Sequence, residues 1–317
     1  MTGVIDRPLL AGTRGSPLAL LQTRMFLAEL GRVWPEGRAA PQEHVVAVIG
    51  DAVQDRRLAE IGGKGLFSKE IHEALLDRRI DFAVHSLKDL ETELPPGIVL
   101  GCVLKREDPR DLIILGEQCG TPDRADPLGS LPVGAVIGTS SVRRQAQLLH
   151  ARPDLKITLM RGNVQTRLRK LGERQCDASL LAIAGLIRLG MDLPRGMVLE
   201  PEAMVPAAAQ GIIGITLRAS DHDLCEMLLK IEDAEARVMA TAERALLAEL
   251  DGSCRTPIGS YARLGPDGQV TLTGLVARGD GSFLLSRSMT GRVVDAARIG
   301  QTLGASLRAD SPADLFD

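Results

Sequence analysis

Aromatic residues are scarce in this chain: one Trp, one Tyr and five Phe make up 2% of 317 residues. Few side chains can therefore serve as platforms for base stacking. Charge of one sign is also lacking, because the net charge is only −3. No global field recruits a polyanion, and a nucleic-acid partner is not expected. Long hydrophobic runs are missing too, so no membrane span is expected. The N-terminus, MTGVIDRPLLAGTRGSPLALLQT, lacks the basic start and apolar stretch of a signal peptide. A cytoplasmic location, where thiols stay reduced, is the expectation.

Cysteine spacing excludes further classes. The five cysteines are Cys102, Cys119, Cys176, Cys225 and Cys254. None forms a CxxC, CxxxC or CxxH pattern, so neither a zinc site nor a disulfide framework is expected. Nucleotide motifs are missing as well: Gly62-Gly63-Lys64-Gly65 lacks the Ser/Thr of a P-loop, and no GxGxxG follows a strand.

Hydrophobic content of 44% and charged content of 25% are globular values, and the length suffices for two or three domains. Short apolar runs alternate with helical patterns through the first two-thirds. Strands are expected at 44–50, 80–85, 98–104, 133–138, 156–161 and 178–184. Helices are expected at 17–30, 68–78, 142–150 and 164–171. This alternation predicts α/β architecture. The last third differs. A long amphipathic pattern over 234–250 precedes three strand patterns at 258–264, 270–277 and 283–290, then a helix over 293–308. The turns GPDG and RGDG join the strands into a meander, and Arg278-Gly279-Asp280 reads as a hairpin turn.

One local event occurs three times: a strand ends, a small polar residue caps a helix, and arginines stand at the junction. The first is Gly12-Thr13-Arg14-Gly15-Ser16-Pro17, with Ser16 as cap and Pro17 at the first helical position. The second is Gly138-Thr139-Ser140-Ser141-Val142-Arg143-Arg144. The third is Arg161-Gly162-Asn163-Val164-Gln165-Thr166-Arg167. Such starts offer unpaired backbone N–H groups and the positive end of a helix dipole. Arginine adds bidentate recognition of carboxylate or phosphate. Arg188, after the 178–184 strand, adds another anchor. Without nucleotide motifs, a polycarboxylate is the favoured ligand.

The run Asp81-Phe82-Ala83-Val84-His85-Ser86-Leu87-Lys88-Asp89 passes from an apolar strand into a polar loop. Lys88 and Asp89 read either as ordinary loop charges or as a cation beside a lone proton carrier; His85 reads as a packed histidine. Residues 50–65 read as a lid carrying Lys64 or as a plain surface loop. Cys254 lies in LDGSCRTPIG, a turn of small and polar residues with Arg255 alongside. Its residue types leave packing, nucleophilic and other roles open.

The ordered set GTRGSPLAL, GGKGLFSKE, AVHSLKD, KREDPRD, GTSSVRRQAQL, RGNVQTRL, AGLIRLG, AERALL and GSCRTPIGSY resembles the hydroxymethylbilane synthase, or porphobilinogen deaminase, family over about Thr13 to Tyr261. The resemblance implies two periplasmic-binding-protein-like α/β domains plus a smaller C-terminal α+β domain with a three-stranded antiparallel sheet. Domain 1 would comprise 1–105 with 206–230, domain 2 106–205 and domain 3 231–317. It implies a dipyrromethane cofactor anchored by Cys254 through a thioether, and Asp89 as catalytic carboxylate. Lys88, Thr139, Ser141, Arg143, Arg144 and Arg167 would hold the cofactor. Arg14, Ser16, Arg161, Arg167 and Arg188 would hold substrate, and Lys64 and Phe67 would belong to a lid. Four porphobilinogen molecules would be joined head to tail, each losing ammonia, before water releases the linear tetrapyrrole. A monomer without metal is implied.

Departures from the family's usual pattern are Val48-Ile49 before Gly50-Asp51, Leu90-Glu91 after Asp89, Ala209 for a frequent glycine, and Ser253 before Cys254. Ala209 is expected to stiffen the crossing 205–211. The rival reading is a non-catalytic polycarboxylate-binding protein of periplasmic-binding-protein type.

Overall fold

The computed structural model describes residues 7–52, 68–250 and 256–316. In chain order the strands are β1 (Leu10–Thr13), β2 (Gln42–Val45), β3 (Phe82–Ser86), β4 (Ile98–Val103) and β5 (Asp111–Leu115). Next come β6 (Val136–Gly138), β7 (Lys156–Thr158), β8 (Ala178–Ala182), β9 (Gly196–Leu199) and β10 (Ile213–Arg218). The last are β11 (Ile258–Leu264), β12 (Gln269–Ala277) and β13 (Leu284–Arg292). The fold is α/β with an all-antiparallel sheet near the C-terminus.

Two compact units contain these elements. The described residues of the first are 7–52, 68–106 and 212–237. Its sheet has the order β2-β1-β3-β10-β4. Strand β1 runs parallel to β2 and β3, while β10 is antiparallel to β3 and β4. Phe26 of the helix Pro17–Gly31 packs edge-on to Phe82 of β3, with ring centroids 5.5 Å apart. Both are fully buried, a contribution of about 1.5–3 kcal/mol each. Asp81 locks the strand starts electrostatically. Its carboxylate accepts from Arg7, from the Leu10 N–H and from Arg218. Burial opposes its ionisation, but these donors prevail and hold it below the usual carboxylate range.

The second unit, described over 107–211, 238–250 and 256–316, contains two sheets. One has the order β7-β6-β8-β5-β9, with β6 parallel to β7 and β8. The other is the meander β11-β12-β13, packed against the helices Ala234–Glu249 and Ala296–Ala309. The RGDG hairpin forms as expected: the Arg278 N–H donates to the Phe283 carbonyl. It is also a docking point. Gln145 donates to the Gly279 carbonyl at 2.8 Å, and His150 Nδ1 to the Gly281 carbonyl at 3.0 Å. Gly281 has φ +77, and a Cβ there would meet the backbone of His150 at 2.5 Å, so only glycine fits.

Several expected strands are shortened or displaced. The 44–50 pattern becomes β2 at Gln42–Val45 followed by a helical turn at Ile49–Ala52, and 178–184 splits into β8 and the helix Ile183–Arg188. Strands β5, β9 and β10 lie outside the expected set. Every residue of β5 and β10 is buried, so neither shows the alternation that marks a half-buried strand.

Ala209 corrects the idea of simple stiffening. It is fully buried with φ +59, in the left-handed region. Its N–H donates to Glu243 at 2.5 Å, and the other oxygen of that carboxylate accepts from the Ala262 N–H. An L-residue there costs about 1–2 kcal/mol, whereas glycine loses about 0.5–1 kcal/mol more conformational freedom on folding. Ala209→Gly is expected to raise stability by about 0.5–1 kcal/mol, read as a shift in the denaturant midpoint at unchanged slope.

Candidate active site

In the second unit, β6, β7 and β8 are parallel neighbours, so their C-terminal ends share one edge of the sheet. Loops at such an edge gather ligands. After β6, Thr139 Oγ1 accepts from the Ser141 N–H at 3.1 Å. Ser141 caps the helix Val142–Ala151, its hydroxyl facing the Arg144 N–H. After β7, Gly162 (φ +121) turns the chain so that Asn163 caps the helix Val164–Gly172. Arg167 folds back there, donating from Nε to the Gly162 carbonyl at 3.0 Å. Arg161 is buried at the same junction. After β8, the short helix carries Arg188, which donates to the Gly211 carbonyl at 2.6 Å. Burial lowers its pKa to about 10, against the pull of Glu107.

Arg143 and Arg144 are the least exposed arginines of this set. Each is 5% accessible, and their guanidinium groups grip opposite oxygens of Asp111 at 2.8 and 2.7 Å. Arg143 also donates to the Val205 carbonyl at 2.6 Å, and Arg144 to the Leu180 carbonyl at 2.9 Å. Gln210 completes the cluster, donating to Asp111 at 2.8 Å. Asp111 is fully buried. Burial opposes its ionisation, yet the two guanidinium groups hold it far below the usual range. Two cations thus share one carboxylate beside a helix N-terminus, leaving an excess of positive potential. Sequence reading assigned no role to Asp111. Its only signal was an acid, the last residue of KREDPRD, opening the apolar run that follows.

In the first unit, β1, β2 and β3 are parallel, so Arg14 and Ser16 leave the sheet at the same edge as Lys88 and Asp89. Ser16 caps its helix, accepting from the Ala19 N–H at 3.3 Å. The Ser86 hydroxyl, at the end of β3, donates to Gln22 of that helix at 3.0 Å. Leu87–Asp89 form one 3-10 turn in which Leu87 is buried, Lys88 half-buried and Asp89 exposed. His85 is packed, with Nε2 3.0 Å from Thr216 Oγ1. Cys254, Lys64 and Phe67 lie outside the described residues. The other four cysteines are free thiols. Burial pushes Cys102 up to about 12 and Cys176 up to about 11, as befits inert packing groups.

Two family models cover most of the chain. "Porphobilinogen deaminase, dipyromethane cofactor binding domain" matches residues 9–226, and "Porphobilinogen deaminase, C-terminal domain" matches 238–309. The chain belongs to the porphobilinogen deaminase family. Among similar curated proteins, the porphobilinogen deaminase of Paracoccus denitrificans is 47% identical over 315 residues, 98% of this chain and 97% of that one. The chloroplastic enzyme of Oryza sativa subsp. japonica is 45% identical, covering 96% of this chain and 85% of its own. Similar solved structures include the ytmK extracellular-binding protein of Bacillus subtilis. It has a TM-score of 0.41 and 10% identity over 71% of this chain and 90% of that one.

The cofactor of the family is dipyrromethane. The donor chemistry fits an acid-bearing pyrrole pair. Capped helix starts and arginines line one sheet edge. Among the described residues, the buried Nε atoms of Arg144 and Arg188 also have no hydrogen-bond partner.

Asp111→Asn should destabilise the protein by about 3–5 kcal/mol at neutral pH, since it strands two buried cations. The lowered pKa of Asp111 means that the wild-type advantage is complete above the unfolded-state value of 3.8 and fades as pH falls below it. Denaturant titrations of both proteins at several pH values check magnitude and sign.

Proposed function

We propose that this chain is a hydroxymethylbilane synthase. In this reading it condenses four porphobilinogen molecules on a dipyrromethane primer and then releases the linear tetrapyrrole by hydrolysis. Family membership over nearly the whole chain carries the proposal. The placement of the site residues supports it: arginines and helix caps sit at strand ends, and one exposed carboxylate stands beside a lysine.

When bound, the dipyrromethane supplies the free α-carbon to which the first substrate unit is joined. Cys254 would hold it by a thioether. Thr139, Ser141, Arg143, Arg144, Arg167 and Lys88 would hold it through their donors and positive charge. Arg143 and Arg144 act from beneath the surface, through the excess potential that Asp111 leaves uncancelled. Arg14, Ser16, Arg161, Arg167 and Arg188 would bind the acetate and propionate groups of substrate. In each addition a carbon–carbon bond forms as the carbon–nitrogen bond of the aminomethyl group breaks. Ammonia leaves, and the attacking α-carbon of the terminal ring loses its proton. Asp89 is suited to move these protons and to offset positive charge on the pyrrole nitrogens. Lys64 and Phe67 would close over the site.

This reading keeps three domains, 1–105 with 206–230, 106–205 and 231–317, the last bearing Cys254. It also takes the protein as a cytoplasmic monomer without nucleic-acid or membrane partners. Among the described residues no helix is long and apolar enough to cross a membrane.

The intact mass should exceed that of the polypeptide by one dipyrromethane, and Cys254→Ala should run at the bare mass; a bare wild-type protein would sink the proposal. Asp89→Ala should keep its fold and adduct while turnover falls about 100- to 10,000-fold. Product formation near the wild-type rate would remove Asp89 from its role.

A further inference from the structure

The Asp89 turn is held by more than its own residues. Leu87 and Leu90, on either side of Lys88 and Asp89, are 1% and 4% exposed, and the Leu90 N–H closes the turn on the Leu87 carbonyl at 3.2 Å. Apolar anchors of this kind hold depth but not direction, because dispersion contacts carry no angular preference. Directional contacts come from the Leu87 N–H, which donates to the Ile212 carbonyl at 3.0 Å and fixes the start of the turn, and, past its end, from Glu91, two residues after Asp89. Its Oε2 accepts from Ser68 Oγ at 2.7 Å, and its Oε1 lies 3.3 Å from Nδ1 of His72. Ser68 is the N-cap residue of the helix Lys69–Leu76, and His72 lies one turn further on. Both are buried, at 1% and 3% exposure. The His72 ring in turn lies 5.9 Å from that of His85 in β3. Burial raises the cost of charging Glu91, but His72 and Ser68 outweigh it and hold the carboxyl at about 2. The anchor is therefore ionised at any physiological pH.

We propose that Glu91 is a positioning residue for the condensation. Its carboxylate, hydrogen-bonded to Ser68 and in close contact with the His72 ring, sets the orientation of the C-terminal end of the 3-10 turn and so of the Asp89 carboxylate. Resting on the assignment of Asp89 as proton carrier, the proposal adds a residue that touches neither substrate nor cofactor. A turn freed to rotate displaces Asp89 by an ångström or so, enough to slow a proton transfer about 10- to 100-fold.

The test uses Glu91→Ala, Glu91→Gln, Ser68→Ala and Asp89→Ala in the full chain. Thermal midpoint, intact mass and steady-state kinetics per cofactor-loaded enzyme are measured for each. Glu91→Ala should lower kcat about 10- to 100-fold with KM changed less than about threefold and the loaded fraction retained. Glu91→Gln, which keeps an oxygen for Ser68, should restore most of that loss. A loss explained wholly by unfolding or poor loading, with normal kcat per loaded molecule, overturns the proposal, as does a wild-type kcat. If Glu91→Ala does not fold, Ser68→Ala and Glu91→Gln decide. A several-fold fall in kcat at constant KM in Ser68→Ala, with Glu91→Gln closer to wild type, supports positioning, and unchanged kcat in Ser68→Ala refutes it. Asp89→Ala separates the two ideas: should it turn over normally, the underlying reading fails, whereas an inactive Asp89→Ala beside a fully active Glu91→Ala removes Glu91 alone.

Discussion

A single carboxylate, Asp111, determines how the arginine-rich half of this molecule is built. Two adjacent arginines at a helix N-terminus repel each other and oppose the helix dipole. Buried without a counter-charge they would unfold the segment that carries them. Asp111 resolves this by accepting from both, with Gln210 adding a third donor. The same cluster ties the start of the 205–211 segment, because the Val205 carbonyl accepts from Arg143 and Gln147. Helix start, central strand and this segment thus share one polar core, and its net charge stays positive.

Carboxylates serve in two contrasting ways. Asp81 and Asp111 are buried, fully engaged and held ionised by guanidinium groups. They give up solvent to fix architecture. Asp89 is exposed on a short turn at a strand end, where a reacting group can reach it. A proton carrier needs access and a carboxyl that is not saturated by cations. Those requirements separate Asp89, the proposed proton carrier, from the structural acids more sharply than residue type does.

An oligomer that gains carboxylates with every added unit asks for many cationic donors spread over a broad edge. Strand ends in parallel sheets meet that need, since each brings a loop, a helix start and its side chains to the same side. In the second unit three such ends stand side by side. The RGDG hairpin of the C-terminal sheet docks on the helix that begins with Arg143 and Arg144. The sheet that follows Cys254 in the chain is thereby registered against the arginine helix.

What the sequence by itself determined was local. Ser16, Ser141 and Asn163 cap the helices that their positions predicted, since capping joins residues three apart. The meander and its turns were equally legible, because period-two patterning and turn chemistry need no distant partner. Strands β5 and β10 were not, for burial on both faces erases the period. Nor was the grip of Asp111 on arginines 32 and 33 residues away, the link from Ser68 to Glu91 across 23, or the left-handed backbone at Ala209. Those depend on which surfaces meet once the sheets are assembled, and only the tertiary structure decides whether a charged side chain faces water, a ligand or another charge.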